Sequence, residues 1–187
     1  MWQVIVTGGE LMIIIGIDTG TKTGLSINLN GEITELETLG IIQAQQVVMQ
    51  AYQGTLNPSC PVYGHEFVVC IEDTRQRKWV RHDVGRERLK GVGSVNRDGA
   101  IWEEFCEYHD IPYLLVPPAH LQGLTKMTEK DFRERTGWTG KRPSEHARDA
   151  GMMTWKYHRL ISKGMVKMPK KPSEIKSAQL AQAKKGA

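Results

Sequence analysis

The sequence predicts an α/β protein built on a mixed five-stranded sheet flanked by helices. Three observations predict it: an apolar run at residues 12–17 that ends in Asp18, a second run at 67–71 that ends in Glu72, and helical spacing of apolar residues between and after them. Short apolar runs bounded by turn residues are typical of buried strands, and strands that alternate with helices are typical of α/β folds. The 187 residues are enough for one domain with a substantial core.

The first third of the chain predicts three strands in hairpin succession. They lie at residues 12–18, 24–29 and 33–39. A Gly/Thr-rich turn separates the first two, and an Asn-Gly pair, a strong hairpin signal, separates the second from the third. We therefore expect these three strands to pair in an antiparallel manner.

The remaining elements alternate between helices and strands, which favours parallel pairing for the later strands. Ser144 and Thr128 each precede a helical pattern as N-cap residues. The predicted elements are, in order, a helix at 41–53, a strand at 66–71, a helix at 98–109, a strand at 111–116, a helix at 129–135 and a helix at 145–161.

Positive charge is concentrated in two stretches of the chain. Residues 75–97 contain eight Lys and Arg against two acids, a net charge of +6, and residues 164–187 contain six Lys against one acid, a net charge of +5. Because the whole chain carries only +4, the remainder is acidic. Basic stretches of this kind attract polyanions, and nucleic acid is the leading candidate.

Composition divides the chain into three segments. We expect an N-terminal extension at 1–11, a folded domain at 12–163, and a flexible basic tail at 164–187 that contains two prolines and many lysines. The chain has no apolar run long enough for a membrane span and no secretory signal pattern, and its three cysteines form no close pair. We therefore expect no membrane partner and a reducing compartment such as the cytoplasm.

Acidic side chains follow two of the predicted strands and lie in the first turns of the last helix. Asp18 and Glu72 end their strands, and His146 and Asp149 share one helix face at a spacing of three residues. Carboxylate oxygens are the ligands that Mg²⁺ prefers, whereas an imidazole suits Mn²⁺ better. We predict these four residues as the catalytic and metal-binding set, with Asp18 bridging two Mg²⁺ or Mn²⁺ ions about 4 Å apart.

Two choices between neighbouring residues stay open at this level. Either Glu72 or Asp73 is the second carboxylate ligand, since both follow the same strand. Either Glu145 or His146 is the ligand at the start of the last helix, and His146 either binds a metal or relays a proton.

Three short motifs together resemble the RuvC-type Holliday junction resolvases of the RNase H-like superfamily, including phage-type members. The segment 15–20 is similar to the first-strand motif of that family, with Thr19 in place of the usual Pro. The pair at 71–72 resembles its second acid, and the segment 146–150 resembles its last-helix motif in the variant that carries His where many members carry Asp. The resemblance covers residues 12–161.

The resemblance implies a homodimeric, metal-dependent endonuclease that binds a four-way DNA junction and cuts two strands of like polarity. It also places an aromatic residue after the second acid against the junction centre, which makes Trp79 the candidate for base stacking. The candidate nucleic-acid-binding residues are Arg75, Arg77, Lys78, Trp79, Arg81, Lys126, Lys130, Lys141 and Arg142.

Two other readings of the same motifs remain open. An RNA-processing nuclease of the YqgF-like type would share the metal site and cut RNA. A non-catalytic junction-binding protein would keep the fold without activity, although Asp18, Glu72 and Asp149 are all present. The segment 16–21 also resembles the phosphate loop of actin/hexokinase-type kinases, but 187 residues are too few for the two domains those enzymes need.

Overall fold

A central five-stranded sheet organises the protein. The computed structural model describes residues 11–76 and 86–185. The sheet has the strand order β3-β2-β1-β4-β5, with β1 in the middle. Its strands are β1 Met12–Asp18, β2 Thr23–Leu29, β3 Glu32–Leu39, β4 Glu66–Glu72 and β5 Tyr113–Val116.

The sheet is mixed, as predicted. β1 pairs antiparallel with β2, and β2 pairs antiparallel with β3, whereas β1, β4 and β5 run parallel to one another. Ile17 of β1 lies beside Ile71 of β4, so the next residues, Asp18 and Glu72, leave the sheet at the same edge. The carboxyl ends of the parallel strands therefore meet there, which is where ligands bind in open α/β sheets.

Helices cover both faces of the sheet. Their bounds are α1 Ile41–Leu56, α2 Arg86–Tyr108, α3 Glu129–Thr136, α4 Glu145–Ser162 and α5 Pro172–Lys185. Along β1, Ile13, Ile15 and Ile17 pack in the core beneath α1 and α2, whereas Ile14 packs in the core beneath α4. The alternation of side chains along a strand explains why β1 is apolar almost throughout. Within residues 11–76 and 86–185, no helix is long and apolar enough to cross a membrane.

Two helices differ from the sequence expectation. α2 begins at Arg86, twelve residues before the predicted start, although the added stretch contains glycines that disfavour a helix interior. In α1, the apolar spacing predicts a buried side of Ile42, Val47, Val48 and Ala51. Ile42 is instead 70% exposed, whereas Ala44, Val48 and Ala51 are buried. The apolar stripe of α1 is therefore rotated away from Ile42.

The segment predicted to be a flexible tail contains α5. Both the backbone N–H and the Oγ of Ser173 donate to the Asp110 carboxylate at 2.8 Å, and Lys176 lies 3.6 Å from Glu107. A proline at the first helical position is compatible with a helix start, and the Ala, Gln, Leu and Lys residues that follow are good helix formers. The helix was not predicted, because the many lysines and the two prolines of this segment are typical of a flexible tail.

Candidate active site

Asp18 and Glu72 meet at the carboxyl edge of β1 and β4. Asp18 is only 9% exposed, and its side chain is hydrogen-bonded with that of Glu72. Thr19 supports the arrangement, since its Oγ1 donates to the backbone carbonyl of Glu72 at 3.2 Å. Two carboxyl groups in a hydrogen bond share a proton, which marks a position where a cation can take the place of the proton.

Two glycines allow α4 to approach this edge. A Cβ atom on Gly24 would lie 2.1 Å from the carbonyl oxygen of His146, and one on Gly16 would lie 2.5 Å from the carbonyl oxygen of Ala150. No larger residue fits either place without displacing backbone. The close packing of α4 on β1 and β2 therefore depends on glycine at both positions.

The first turns of α4 bring His146 and Asp149 to the same edge of the sheet. The Nδ1 atom of His146 lies 2.7 Å from Oδ2 of Asp18. Oδ1 of Asp149 accepts a hydrogen bond of 2.8 Å from the backbone N–H of Lys126, a residue with the left-handed φ of 59°. The side chain of Ser144 caps α4 by accepting from the N–H of Ala147, which fixes where the helix begins.

Burial and nearby negative charges raise the pKa values of Asp18 and Asp149. Burial raises the pKa of Asp18 to about 6; the nearby charges of Asp149 and Glu145 add to the effect, and the hydrogen bond with Glu72 opposes it. Burial also raises the pKa of Asp149, with added repulsion from Glu145 and Glu72. A cluster of acids that repel one another in a partly buried place is stabilised by a bound cation.

Carboxylate oxygens are suitable ligands for a hard divalent cation, but the acids at this edge are not arranged as a metal centre. Across residues 11–76 and 86–185, no group of three or more His, Cys, Asp or Glu side chains is arranged to hold a metal ion. Asp18 is engaged with His146 and Glu72 instead.

The structure distinguishes Glu72 from Asp73. The Asp73 carboxylate is buried and accepts hydrogen bonds from the backbone N–H of Arg75 at 3.2 Å, from Nε of Arg75 at 2.6 Å and from Nε2 of Gln76 at 3.0 Å. Although burial opposes it, these hydrogen bonds lower the pKa of Asp73. The Asp73 oxygens are therefore already engaged in hydrogen bonds, whereas the side chain of the neighbouring Glu72 is hydrogen-bonded with Asp18.

The same comparison can be made for Glu145 and His146. His146 contacts Asp18 directly, whereas Glu145 influences Asp18 and Asp149 through its charge. Both lie in the first turn of α4. His146 is therefore the better placed of the two for contact with the Asp18 carboxylate.

Arg75, predicted to bind nucleic acid, is engaged within the protein. Its guanidinium contacts Asp73 at 2.6 Å and Glu103 at 2.8 Å, and the hydrogen bond to Asp73 raises its pKa. Because both acidic partners of Arg75 belong to the protein itself, a DNA phosphate would have to compete with them for the guanidinium. The predicted contacts Arg77, Lys78, Trp79 and Arg81 lie outside the described residues.

The remaining predicted contacts are exposed on the α3–α4 side of the edge. Lys126 lies next to Asp149 through its backbone, and Arg142 contacts Glu129 at 2.9 Å. Lys130 pairs weakly with Glu134 at 3.9 Å, one helical turn away on the exposed surface. Lys141 belongs to a loop braced by a neighbouring tryptophan, whose Nε1 donates to the Lys141 carbonyl at 2.8 Å.

Sequence reasoning missed the supporting residues of this site. Gly16 and Gly24 carry a usable signal, because a glycine inside a strand indicates close approach of another backbone. The N–H of Lys126 carries none, because a backbone donor is invisible in the pattern of side chains. The buried hydrogen bond between the hydroxyls of Ser26 and Thr154, at 3.1 Å, also holds α4 on the sheet and was not anticipated.

Comparison with known proteins supports the fold alone. No family model matches the chain, and no curated protein matches it significantly. Among solved structures, it is similar to T. thermophilus RuvC in complex with Holliday junction substrate, with a TM-score of 0.50, 15% sequence identity, and coverage of 84% of this chain and 99% of that one. The protein therefore has the RNase H-like α/β fold of RuvC.

Proposed function

We propose that this protein is a metal-dependent endonuclease that resolves four-way or branched DNA junctions by paired hydrolysis of phosphodiester bonds. One observation carries the proposal: in an RNase H-like fold, Asp18 and Glu72 from neighbouring strands and Asp149 from α4 gather at one edge of the sheet. The raised pKa values of Asp18 and Asp149, caused by burial and by nearby negative charges, support a cation-binding role. The similarity to a RuvC structure that holds a Holliday junction substrate supports the choice of branched DNA.

The residues that would hold Mg²⁺ or Mn²⁺ are Asp18, Glu72 and Asp149, with His146 as a further ligand or as a proton acceptor. When bound, two such ions activate the attacking water and stabilise the leaving oxygen of the phosphodiester. Asp18 would be the carboxylate shared by the ions, because it is the one that interacts with all the other residues of the set. The N–H of Lys126 keeps the Asp149 carboxylate oriented towards the edge.

The exposed basic residues beside this edge are proposed to hold the DNA backbone. Lys126, Lys130, Lys141 and Arg142 lie on the surface that adjoins Asp149 and the start of α4. Contacts of this kind position a nucleic acid without reading its sequence. We further propose that Arg77, Lys78, Trp79 and Arg81 contact the junction, with Trp79 stacking on a base.

A homodimer is proposed to present two such sites to the two strands of a junction. An apolar groove of about 520 Å³ between α1 and α2 supports it, lined in part by Ile42, Met49 and Phe105. Ile42 is 70% exposed and Tyr108, at the end of α2, is 83% exposed. Large apolar side chains exposed in one region are typical of protein interfaces. The molar mass in solution, measured by light scattering, tests the dimer.

We further propose that such an enzyme acts in the cytoplasm of a bacterial or phage-infected cell.

The test of the function is cleavage of a labelled four-way junction beside a linear duplex of the same sequence, in Mg²⁺, Mn²⁺ or EDTA. Metal-dependent paired nicks in the junction alone are the expected result. Equal cutting of both DNAs would contradict junction selectivity. Cutting of structured RNA instead would favour an RNA-processing nuclease, and tight junction binding without cutting would favour a non-catalytic binding protein.

A further inference from the structure

The turn that follows Glu72 is tied to α2 by a partly buried network of charged groups. Asp73, with a side chain only 4% exposed, receives three hydrogen bonds from Arg75 and Gln76. Arg75 then spans to Glu103 of α2 through an Nη2–Oε2 contact of 2.8 Å. One guanidinium therefore joins the end of β4 to a helix about thirty positions later in the chain, in a fork geometry that only arginine provides.

Further contacts fix the same turn from other directions. The N–H of Asp73 donates to the carbonyl of Val116 in β5 at 2.9 Å. Thr74 Oγ1 donates to Oδ1 of Asn96 in α2 at 2.9 Å, and the Asp73 carboxylate lies beside Gly99 of the same helix. The turn is thus held between β5 and α2.

Glu72 lies directly before this turn, at the end of β4. The last parallel pair between β1 and β4 is Ile17 with Ile71, so Glu72 extends one residue beyond its pairing with β1, whereas it still pairs with Val116 of β5. On the side of β1, its carbonyl accepts a hydrogen bond from Thr19 Oγ1. The end of a strand opens locally at a lower cost in free energy than its centre. An anchored turn directly after Glu72 therefore helps to keep the end of β4 in place.

We propose that Asp73, Arg75 and Glu103 are positioning residues that hold Glu72 in the acid cluster by anchoring the turn after β4 to α2. This inference rests on the proposed nuclease function and changes the role of Arg75 from a DNA contact to an internal one. The network acts on the placement of the carboxylate and not on the binding of DNA. Its loss is therefore expected to lower kcat and to spare junction affinity.

Two variants on α2 test the proposal against a matched control. Glu103 and Glu107 lie one turn apart on the same helix and both approach the hydroxyl of Tyr113, but only Glu103 contacts Arg75. We expect Glu103→Ala to lower kcat on a four-way junction about tenfold or more, because small misplacements of a catalytic group are costly. Glu107→Ala is expected to leave kcat unchanged.

Substitutions of Arg75 separate the two roles available to it. Arg75→Ala is expected to lower kcat with little change in the Kd of uncleaved junction, and Arg75→Lys is expected to restore little, since an ammonium cannot bridge both carboxylates in the same geometry. A phosphate contact would behave differently: Arg75→Ala would raise Kd, flatten its salt dependence and keep kcat, and Glu103→Ala would have no effect. That pattern would overturn the proposal.

Hydrogen exchange gives a readout that needs no cleavage. The amides of Asp73 and Arg75 are expected to exchange faster in Arg75→Ala and in Glu103→Ala, and at the wild-type rate in Glu107→Ala. Unchanged exchange in the first two variants would overturn the positioning role, whatever the activity. A wild-type protein that cuts no DNA would refute the proposed function, and the exchange rates would still decide whether this network restrains the end of β4.

Discussion

The Nδ1 atom of His146 lies 2.7 Å from Oδ2 of Asp18, although 128 positions separate the two residues in the chain. The contact joins the end of β1 to the first turn of α4 across the edge where the acids gather. It also places an imidazole nitrogen beside the carboxylate of Asp18. The metal preference of the site should therefore depend on residue 146.

His146→Asp is expected to raise the ratio of the cleavage rate in Mg²⁺ to the rate in Mn²⁺. An imidazole suits Mn²⁺ better than Mg²⁺, whereas a carboxylate is a hard ligand that Mg²⁺ accepts readily. The ratio is measured from initial rates on one junction at saturating metal. His146→Ala is the control, because it removes the imidazole without supplying an oxygen. An unchanged ratio in His146→Asp would place the histidine outside the metal shell.

Asp18→Asn is expected to abolish cleavage and to preserve binding of the junction. The amide is similar in size, so the fold and the basic surfaces stay intact, but it lacks the charge that shared metal ligation requires. The measurement pairs a cleavage assay with a binding titration in Ca²⁺ or EDTA. Residual cleavage at a rate near that of the wild type would remove Asp18 from the proposed centre.

The raised pKa of Asp18 gives the same substitution an effect on stability. In the folded protein Asp18 keeps its proton up to a pKa of about 6, against 3.8 for the unfolded chain. The folded state thus binds more protons between these values, so its stability falls as pH rises through this window, by at most about 3 kcal/mol.

An Asn at position 18 does not ionise, so it removes this loss of stability at higher pH. In metal-free buffer, Asp18→Asn should therefore unfold at higher urea than the wild type at pH 7.5, and at similar urea below pH 4. Added Mg²⁺ should stabilise the wild type and leave the variant unaffected. A difference of equal size at both pH values would mean that ionisation of Asp18 is not its source.

Gly24→Ala is expected to destabilise the protein and to impair cleavage. The new Cβ would meet the carbonyl oxygen of His146 at 2.1 Å, so α4 has to shift away from β2. Overpacking of this kind typically costs about 1–3 kcal/mol. Urea unfolding measures the loss, with Gly20→Ala in the same hairpin as the control, because its Cβ would have an ordinary contact at 3.5 Å. Equal effects of the two substitutions would contradict the close approach of α4.

Replacement of the six lysines at 164–187 by glutamine is expected to weaken junction binding and to flatten its dependence on salt. Each lysine that neutralises a phosphate releases counterions on binding, so the salt slope reports the number of such contacts. The matched control is Ser173→Ala, which removes a hydrogen bond between α5 and Asp110 and leaves the charge unchanged. A slope that stays at the wild-type value would exclude the tail from the DNA interface.

Local patterns in the sequence were sufficient for the sheet and for the residues at its edge. The apolar run of β1 and the similar run of β4 each bury both faces, so their length and their polar ends are visible without any knowledge of partners. The acids at those ends follow directly, since parallel strands leave a sheet at the same edge. The N-cap Ser144 likewise marks where α4 begins, because capping is a local interaction.

Tertiary contacts decided what each of these side chains does. Asp73 and Glu72 are neighbours in the chain, yet one is occupied by Arg75 and the other reaches Asp18. The sequence predicts Arg75 as a DNA contact because it is a basic residue in a basic stretch. In the structure, its guanidinium contacts two acidic side chains of the protein itself. The physical reason is range: hydrophobic periodicity and capping act within a few residues, whereas pairing of charges and close packing at Gly24 depend on segments that only folding brings together.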